Sequence, residues 1–166
     1  ANETSTPQGP STPKATWQTQ LILFTALAGS TAMYGVVLFV VLGQQPQAPT
    51  PPGIMLPIFA AVGVALILVS FVMRGKLLPP LGDDGELRSL DDVEFTEARK
   101  AAVAKLSTAN LLSWAMVEGV AVLGFVLAFT THDINQFFPF VAVAAVGFAL
   151  NRPQQDVLLR ALAAAK

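Results

Sequence analysis

The chain has 166 residues, of which 53% are hydrophobic and 13% charged, and its formal net charge is −1 at pH 7. Soluble domains carry about 25% charged residues, so this composition is typical of an integral membrane protein, and the small net charge gives no basis for nucleic-acid binding. The chain has no cysteine and a single histidine, His132, which excludes disulfides, thiolate metal sites and multi-histidine metal sites within one chain. We therefore expect no enzymatic activity, no cofactor and no metal.

The first part of the chain predicts a tail followed by two membrane-spanning helices. Residues 1–16 are rich in Ser, Thr and Pro, so we predict a disordered N-terminal tail. The apolar segments 20–43 and 54–73 are each long enough, at about 1.5 Å per residue, to cross a hydrocarbon core of roughly 30 Å. A proline-rich loop separates them and stops the first helix. The sequence therefore predicts a first transmembrane hairpin over residues 17–73.

A charged connector, residues 74–108, follows this hairpin. Its second half, residues 89–106, has acidic side chains at its start and basic ones at its end, an order that complements the helix dipole. Ser89 is a candidate N-cap. We predict a helix here that lies near the membrane surface or continues into the next apolar segment.

The last third of the chain predicts a second transmembrane hairpin over residues 109–151. Its first helix is the apolar run 109–129, and its second, about residues 137–150, is short enough to need tilt or local thinning of the bilayer. Residues 152–166 form a C-terminal tail with a candidate amphipathic helix. Three aromatic residues open the second helix, and we expect them at the interface and facing lipid: Phe137, Phe138 and Phe140.

The basic residues indicate the orientation. All ten fall in the N-terminal tail, the connector or the C-terminal tail, and none lies in the two other loops; they are Lys14, Arg74, Lys76, Arg88, Arg99, Lys100, Lys105, Arg152, Arg160 and Lys166. The positive-inside rule then predicts that both termini and the connector are cytoplasmic. The predicted fold is an all-α, polytopic membrane protein with four transmembrane helices as two tandem hairpins, in a bacterial-type inner (plasma) membrane.

An internal repeat is consistent with this division. Setting Gly35 over Gly124 aligns the first and third apolar segments, and Pro57 and Pro139 each lie at the start of the helix that follows. The pattern predicts a duplicated hairpin in parallel arrangement.

Glu118 is the single charged residue within residues 109–129, about 14 Å from the start of that segment at about 1.5 Å per residue. A carboxyl near the midplane is costly, so we expect it to face other helices or water and to be a possible ion or proton site. Small residues allow another helix to come close. We expect helix packing at six positions: Gly29, Ser30, Ala115, Gly119, Ala121 and Gly124. The alternative is a structural carboxyl that is hydrogen-bonded to Ser30, Thr31 or Ser70.

The segment AMVEGVAVLGFVLA, residues 115–128, resembles the carboxylate helix of the proteolipid (subunit c) family of rotary ATPases. That family has the form A-x-x-E-x-x-A-I-x-G-x-V-I-A, to which Ala115, Glu118, Ala121 and Gly124 correspond. The resemblance implies that Glu118 is the acid that carries the ion.

Two functions follow as expectations. The first is a small non-enzymatic membrane protein that acts as a structural or accessory subunit, whose partners are the lipid bilayer and either further copies of itself or a larger membrane complex. The second is a proteolipid-like subunit that translocates protons or ions through Glu118. An enzyme with its site in the connector is the weakest alternative, because that segment offers carboxylates without a predicted pocket.

Overall fold

The computed structural model describes residues 12–44, 48–82, 87, 89–91 and 93–165, and within these ranges all regular secondary structure is helical. These ranges contain five α-helices, in chain order α1 (Pro13–Gln44), α2 (Met55–Leu77), α3 (Glu97–Thr131), α4 (Phe137–Leu150) and α5 (Gln155–Ala164). A short 3₁₀ turn, Ile134–Gln136, precedes α4. The predicted all-α class is confirmed.

Three of these helices, α1, α2 and α3, are long enough and apolar enough to cross a membrane. A fourth candidate is Ile134–Leu150 together with α5, a pair that is bent by 46°. Three to four such helices are compatible with a multi-pass membrane protein.

Helix α3 lies at the centre, and the other four helices all pack against it. The main apolar cluster comes mostly from α3 and α4, and its buried members are Trp114, Val117, Val120, Ala121, Leu127, Phe140, Ala144 and Phe148. Within the described ranges, α1 and α2 have at most marginal contact with each other. Each helix of the predicted first hairpin over residues 17–73 therefore packs mainly against α3.

The helices alternate in direction. On α1, Gln20 contacts Ser107 near the start of α3, and Leu38 clusters with Ala128 near its end, so α1 runs parallel to α3. Helix α4 runs the opposite way, because it begins beside the end of α3 and finishes where Asn151 contacts Trp114.

Helix α2 also runs antiparallel to α3. Gly63 lies beside Val120, and the side chain of Arg74, eleven positions later in the sequence, reaches Asn151 at the other end of the bundle. The described basic residues therefore gather at one end of the bundle, which we call the basic end. Arg88 and Lys166 lie outside the described residues.

The N-terminal boundary differs from the prediction. Helix α1 begins at Pro13, inside the predicted tail of residues 1–16, and both Pro13 and Thr16 are buried. The backbone N–H of Ala15 donates to Thr12 Oγ1, so a threonine cap followed by proline in the first turn starts the helix. The rest of the predicted tail, residues 1–11, lies outside the described residues.

The connector helix also starts later than predicted. Thr96, not Ser89, caps it by accepting the backbone N–H of Arg99, and Ser89 instead accepts the N–H of Asp91. From Glu97 the helix continues without a break to Thr131. The predicted boundary between a connector ending at 108 and a hairpin starting at 109 therefore falls within one helix.

A second apolar cluster lies at the basic end. Leu90 and Val93, from the segment before α3, are buried there because they pack against α5 and the first turns of α3. Helix α5 is amphipathic as predicted, and Leu158 and Leu162 are fully buried in the same cluster. The C-terminal tail is thus packed against the bundle.

Candidate functional site

Glu118 lies on the side of α3 that faces α1. Its Oε1 atom is 2.5 Å from Ser30 Oγ and 2.9 Å from the hydroxyl oxygen of Tyr34, which are one helical turn apart on α1. The parallel course of α1 and α3 brings these three side chains to the same level. Of the three predicted hydrogen-bond partners of Glu118, Ser30 is therefore present at the site.

The two other predicted partners are used differently. Ser70 is fully buried and its hydroxyl donates to the backbone carbonyl of Ile67 on its own helix. Thr31 is buried, and its hydroxyl oxygen has no hydrogen-bond partner within the described part of the chain. Tyr34 was missed in the sequence because a tyrosine near the middle of an apolar helix is equally typical of a core position.

The hydrogen atoms available at Glu118 limit how the three contacts are made. Ser30 has one hydroxyl hydrogen, and its Oγ also lies 2.7 Å from the carbonyl oxygen of Leu27, which can only accept. That hydrogen is therefore shared between the carbonyl oxygen of Leu27 and the carboxyl oxygen of Glu118. Tyr34 donates its hydroxyl hydrogen to the same carboxyl oxygen.

The second carboxyl oxygen of Glu118, Oε2, has different surroundings from Oε1. It makes no hydrogen bond to any described residue, and it is not among the fully enclosed unpaired atoms. Glu118 as a whole is half-buried. The carboxyl is thus held on one side by α1 and open on the other.

The predicted packing positions divide into two groups. Ala121 is fully buried, Gly119 lies beside Leu66 of α2, and Gly124 is pressed against Phe140 of α4. Gly29 and Ala115 are exposed instead, and a Cβ added at Gly29 would meet no atom within 4 Å. These two small residues leave open surface on α1 and α3.

The aromatic residues at the start of α4 do not all face lipid as predicted. Phe137 and Phe140 are buried, whereas Phe138 is 57% exposed. Two glycines make the room, because Gly35 of α1 faces the ring of Phe137 and Gly124 of α3 faces Phe140.

Three polar contacts near the basic end were not anticipated from the sequence. The side-chain amide of Gln20 donates to Ser107 and its carbonyl oxygen accepts from Asn110, which joins α1 to α3. The indole N–H of Trp114 donates to the backbone carbonyl of Asn151 at 2.7 Å, which joins α3 to the end of α4. Asparagine and glutamine inside long apolar helices are the sequence signal for such contacts.

The loop at the opposite end carries the single histidine. His132 ends α3 in the left-handed conformation, with φ of 53°. The backbone N–H of Asn135 donates to the Asp133 carboxylate and lowers the pKa of Asp133 below its usual value, with a further contribution from the Gln136 side chain. Asp133 thus serves as the cap of the turn that leads into α4.

Within the described ranges, no three side chains of His, Asp or Glu come close enough to hold a metal ion. Comparisons with protein-family models, with curated proteins and with solved structures found no match.

Proposed function

We propose that this chain is a non-enzymatic integral membrane protein that acts as a structural or accessory subunit of a membrane complex. The observation that supports the proposal is the bonding of Glu118, the one acid in the apolar part of α3. Its carboxyl is bound by Ser30 and Tyr34 of the same chain, so it tethers α1 to α3. An acid used in this way holds helices in register and is not directed at a substrate.

The outer faces of α1 and α2 support a role in assembly. In the most apolar stretch of 18 residues, 11% of the stretch is buried within the chain in α1 and likewise in α2, against 44% in α3. In a bilayer, such faces contact lipid or the helices of another subunit. Gly29 lies in this surface with open space around it, so a neighbouring helix can approach α1 closely there. Self-association, or insertion into a larger complex, uses this surface.

We further propose four membrane crossings as two tandem hairpins, with α4 and its preceding turn as the fourth. Both termini and the connector are on the cytoplasmic side of a bacterial-type inner membrane. The support is the collection of basic residues at one end of the bundle, because cytoplasmic segments carry the excess of Lys and Arg. The loop between α3 and α4 has no basic residue apart from His132.

Single cysteines test this orientation, because the chain has none of its own. A cysteine at the exposed position Asn135 should react with a membrane-impermeant thiol reagent in intact cells. One at the exposed position Ala98 should react only after the membrane is permeabilised. A cysteine at the fully buried Val117 is the control and should stay unreactive throughout. Labelling at Ala98 in intact cells would reverse the proposed orientation.

A second candidate function is proton or ion translocation with Glu118 as the carrier, as the resemblance to the proteolipid subunit implies. The specific observation in its favour is Oε2, which is unpaired and not fully enclosed. An acid that releases and takes up a proton needs one such open side.

Modification by a hydrophobic carbodiimide separates the two functions. Glu118→Gln keeps the shape, and its amide oxygen can take the place of Oε1 and accept from both Ser30 and Tyr34. We expect this variant to assemble normally and to lose no more than about 1 kcal/mol of stability, because such interhelical bonds average about 0.6 kcal/mol. We expect the wild type to react slowly with the reagent, since α1 covers one side of the carboxyl.

Rapid, pH-dependent labelling of the wild type, absent in Glu118→Gln, would favour the carrier and contradict the accessory role. Asp133→Asn is the matched control, because it removes a carboxyl outside the apolar helices. The native mass of the extracted protein gives an independent measurement. A complex with a different chain supports the accessory role, whereas a high-order ring of this chain alone supports the carrier.

A further inference from the structure

A cavity of about 400 Å³ lies at the basic end, between the last turn of α2 and the early turns of α3. Lys76 enters it from α2 and Lys105 from α3. Its walls include Leu77, Pro79 and Ala104. The cavity therefore combines two ammonium groups with an apolar lining.

Both lysines are available for a ligand. Neither Lys76 nor Lys105 has an ion pair or hydrogen bond to another residue in the part of the chain that the structure describes, and both are exposed. Two other lysines at this end are paired instead, Lys14 with Asp91 and Lys100 with Glu97. The cavity thus presents two positive charges without acidic partners among the described residues.

The cavity lies near the end of the apolar part of α2. Lys76 belongs to the last turn of α2, where the apolar part of that helix ends. Below it on the same helix, one and two turns back, Met73, Val72 and Val69 are exposed apolar side chains. In the proposed bilayer the cavity is therefore expected at the level of the lipid phosphates, and an apolar strip leads from it towards the bilayer centre.

We propose that this cavity binds the headgroup phosphate of an anionic phospholipid, with an acyl chain along the exposed strip of α2. Charge complementarity selects the headgroup, because two ammonium groups attract a lipid with net negative charge and give no advantage to a zwitterionic one. The apolar walls and the adjoining strip favour a lipid over a free phosphate ion. The proposal rests on the membrane insertion proposed above, and it is independent of whether Glu118 is structural or a carrier.

The test uses the full chain in detergent, with phosphatidylglycerol or phosphatidylcholine added and bound lipids counted by native mass spectrometry. The wild type should retain phosphatidylglycerol in preference to phosphatidylcholine. The double variant Lys76→Gln/Lys105→Gln should lose about 30-fold in this retention, because each lysine near the surface contributes about a factor of five. The control Lys14→Gln/Lys100→Gln removes the same charge outside the cavity and should stay within about twofold of the wild type.

Three outcomes would overturn the proposal: equal retention of the two lipids, an equal loss in both double variants, or full displacement of phosphatidylglycerol by millimolar inorganic phosphate. The last would show a site for free phosphate. Flotation of each variant with vesicles of phosphatidylcholine measures insertion separately. A wild type that fails to float contradicts the membrane function itself, whereas normal flotation without lipid selectivity contradicts the headgroup site alone.

Discussion

Gly124→Ala should destabilise the helix bundle by about 1–3 kcal/mol, although it adds only one methyl group. A Cβ at this position would lie 2.5 Å from Phe140 Cβ and 2.9 Å from its Cγ, and 3.3 Å from the backbone oxygen of Phe137. These atoms are on or next to the backbone of α4, so no side-chain rotation relieves the overlap. Helix α4 as a whole has to move away from α3, which weakens the main apolar cluster.

Gly29→Ala is the matched control for this substitution. It makes the same change in an apolar helix where the added Cβ meets no atom within 4 Å. Because alanine is the better helix former, this variant should be neutral or more stable by up to about 1 kcal/mol. Unfolding by denaturing detergent, followed by circular dichroism, measures both. Equal midpoints for the two variants would show that α3 and α4 do not approach each other as closely as the structure has them.

Trp114→Ala should cost about 3–5 kcal/mol, the range for removing a fully buried aromatic side chain. Trp114 is inaccessible to solvent and lies edge-on to Phe24 of α1, with ring centroids 5.3 Å apart. Its indole N–H also binds the carbonyl of Asn151 beyond the end of α4. The side chain therefore joins three helices, and its loss leaves a cavity as well as an unpaired carbonyl oxygen.

Trp114→Phe separates these two contributions. Phenylalanine keeps the aromatic contact but leaves the Asn151 carbonyl without the indole donor, so it should cost about 1–3 kcal/mol. Phe138→Ala is the control, because Phe138 is 57% exposed, and it should change stability by less than about 0.5 kcal/mol. The same unfolding assay measures all three. If Trp114→Phe is as damaging as Trp114→Ala, packing at this position contributes little.

The sequence by itself determined the helical class and much of the chain's division into helices. The last apolar helix is predicted at residues 137–150 and is found there, because the capping residues in the loop before it, Pro139 in its opening turn and the Asn-Arg-Pro run after it are local signals. The amphipathic helix at the C-terminus was also predicted correctly. It lies outside the apolar part of the chain, where buried and exposed positions differ in polarity.

The candidate site was only partly predictable. Glu118 stood out as the one acid in an apolar helix, and Ser30 was among its three expected partners. The contribution of Tyr34 depends on α1 running parallel to α3 at a particular register. The predicted alternation of the spans already implies that the first and third run in the same direction, but the register between two helices that are distant in sequence is not encoded in a local pattern.

Only the tertiary structure decided which faces of the apolar helices turn inward. It made α3 the centre and separated α1 from α2, and it buried Phe137 and Phe140 while leaving Gly29 exposed. The physical reason is that a membrane helix is apolar on the side that meets lipid and on the side that meets its neighbours, so hydrophobic periodicity does not mark the inner face. The inner face is set instead by how the shapes of neighbouring residues fit together. For example, Gly124 leaves the space that Phe140 fills.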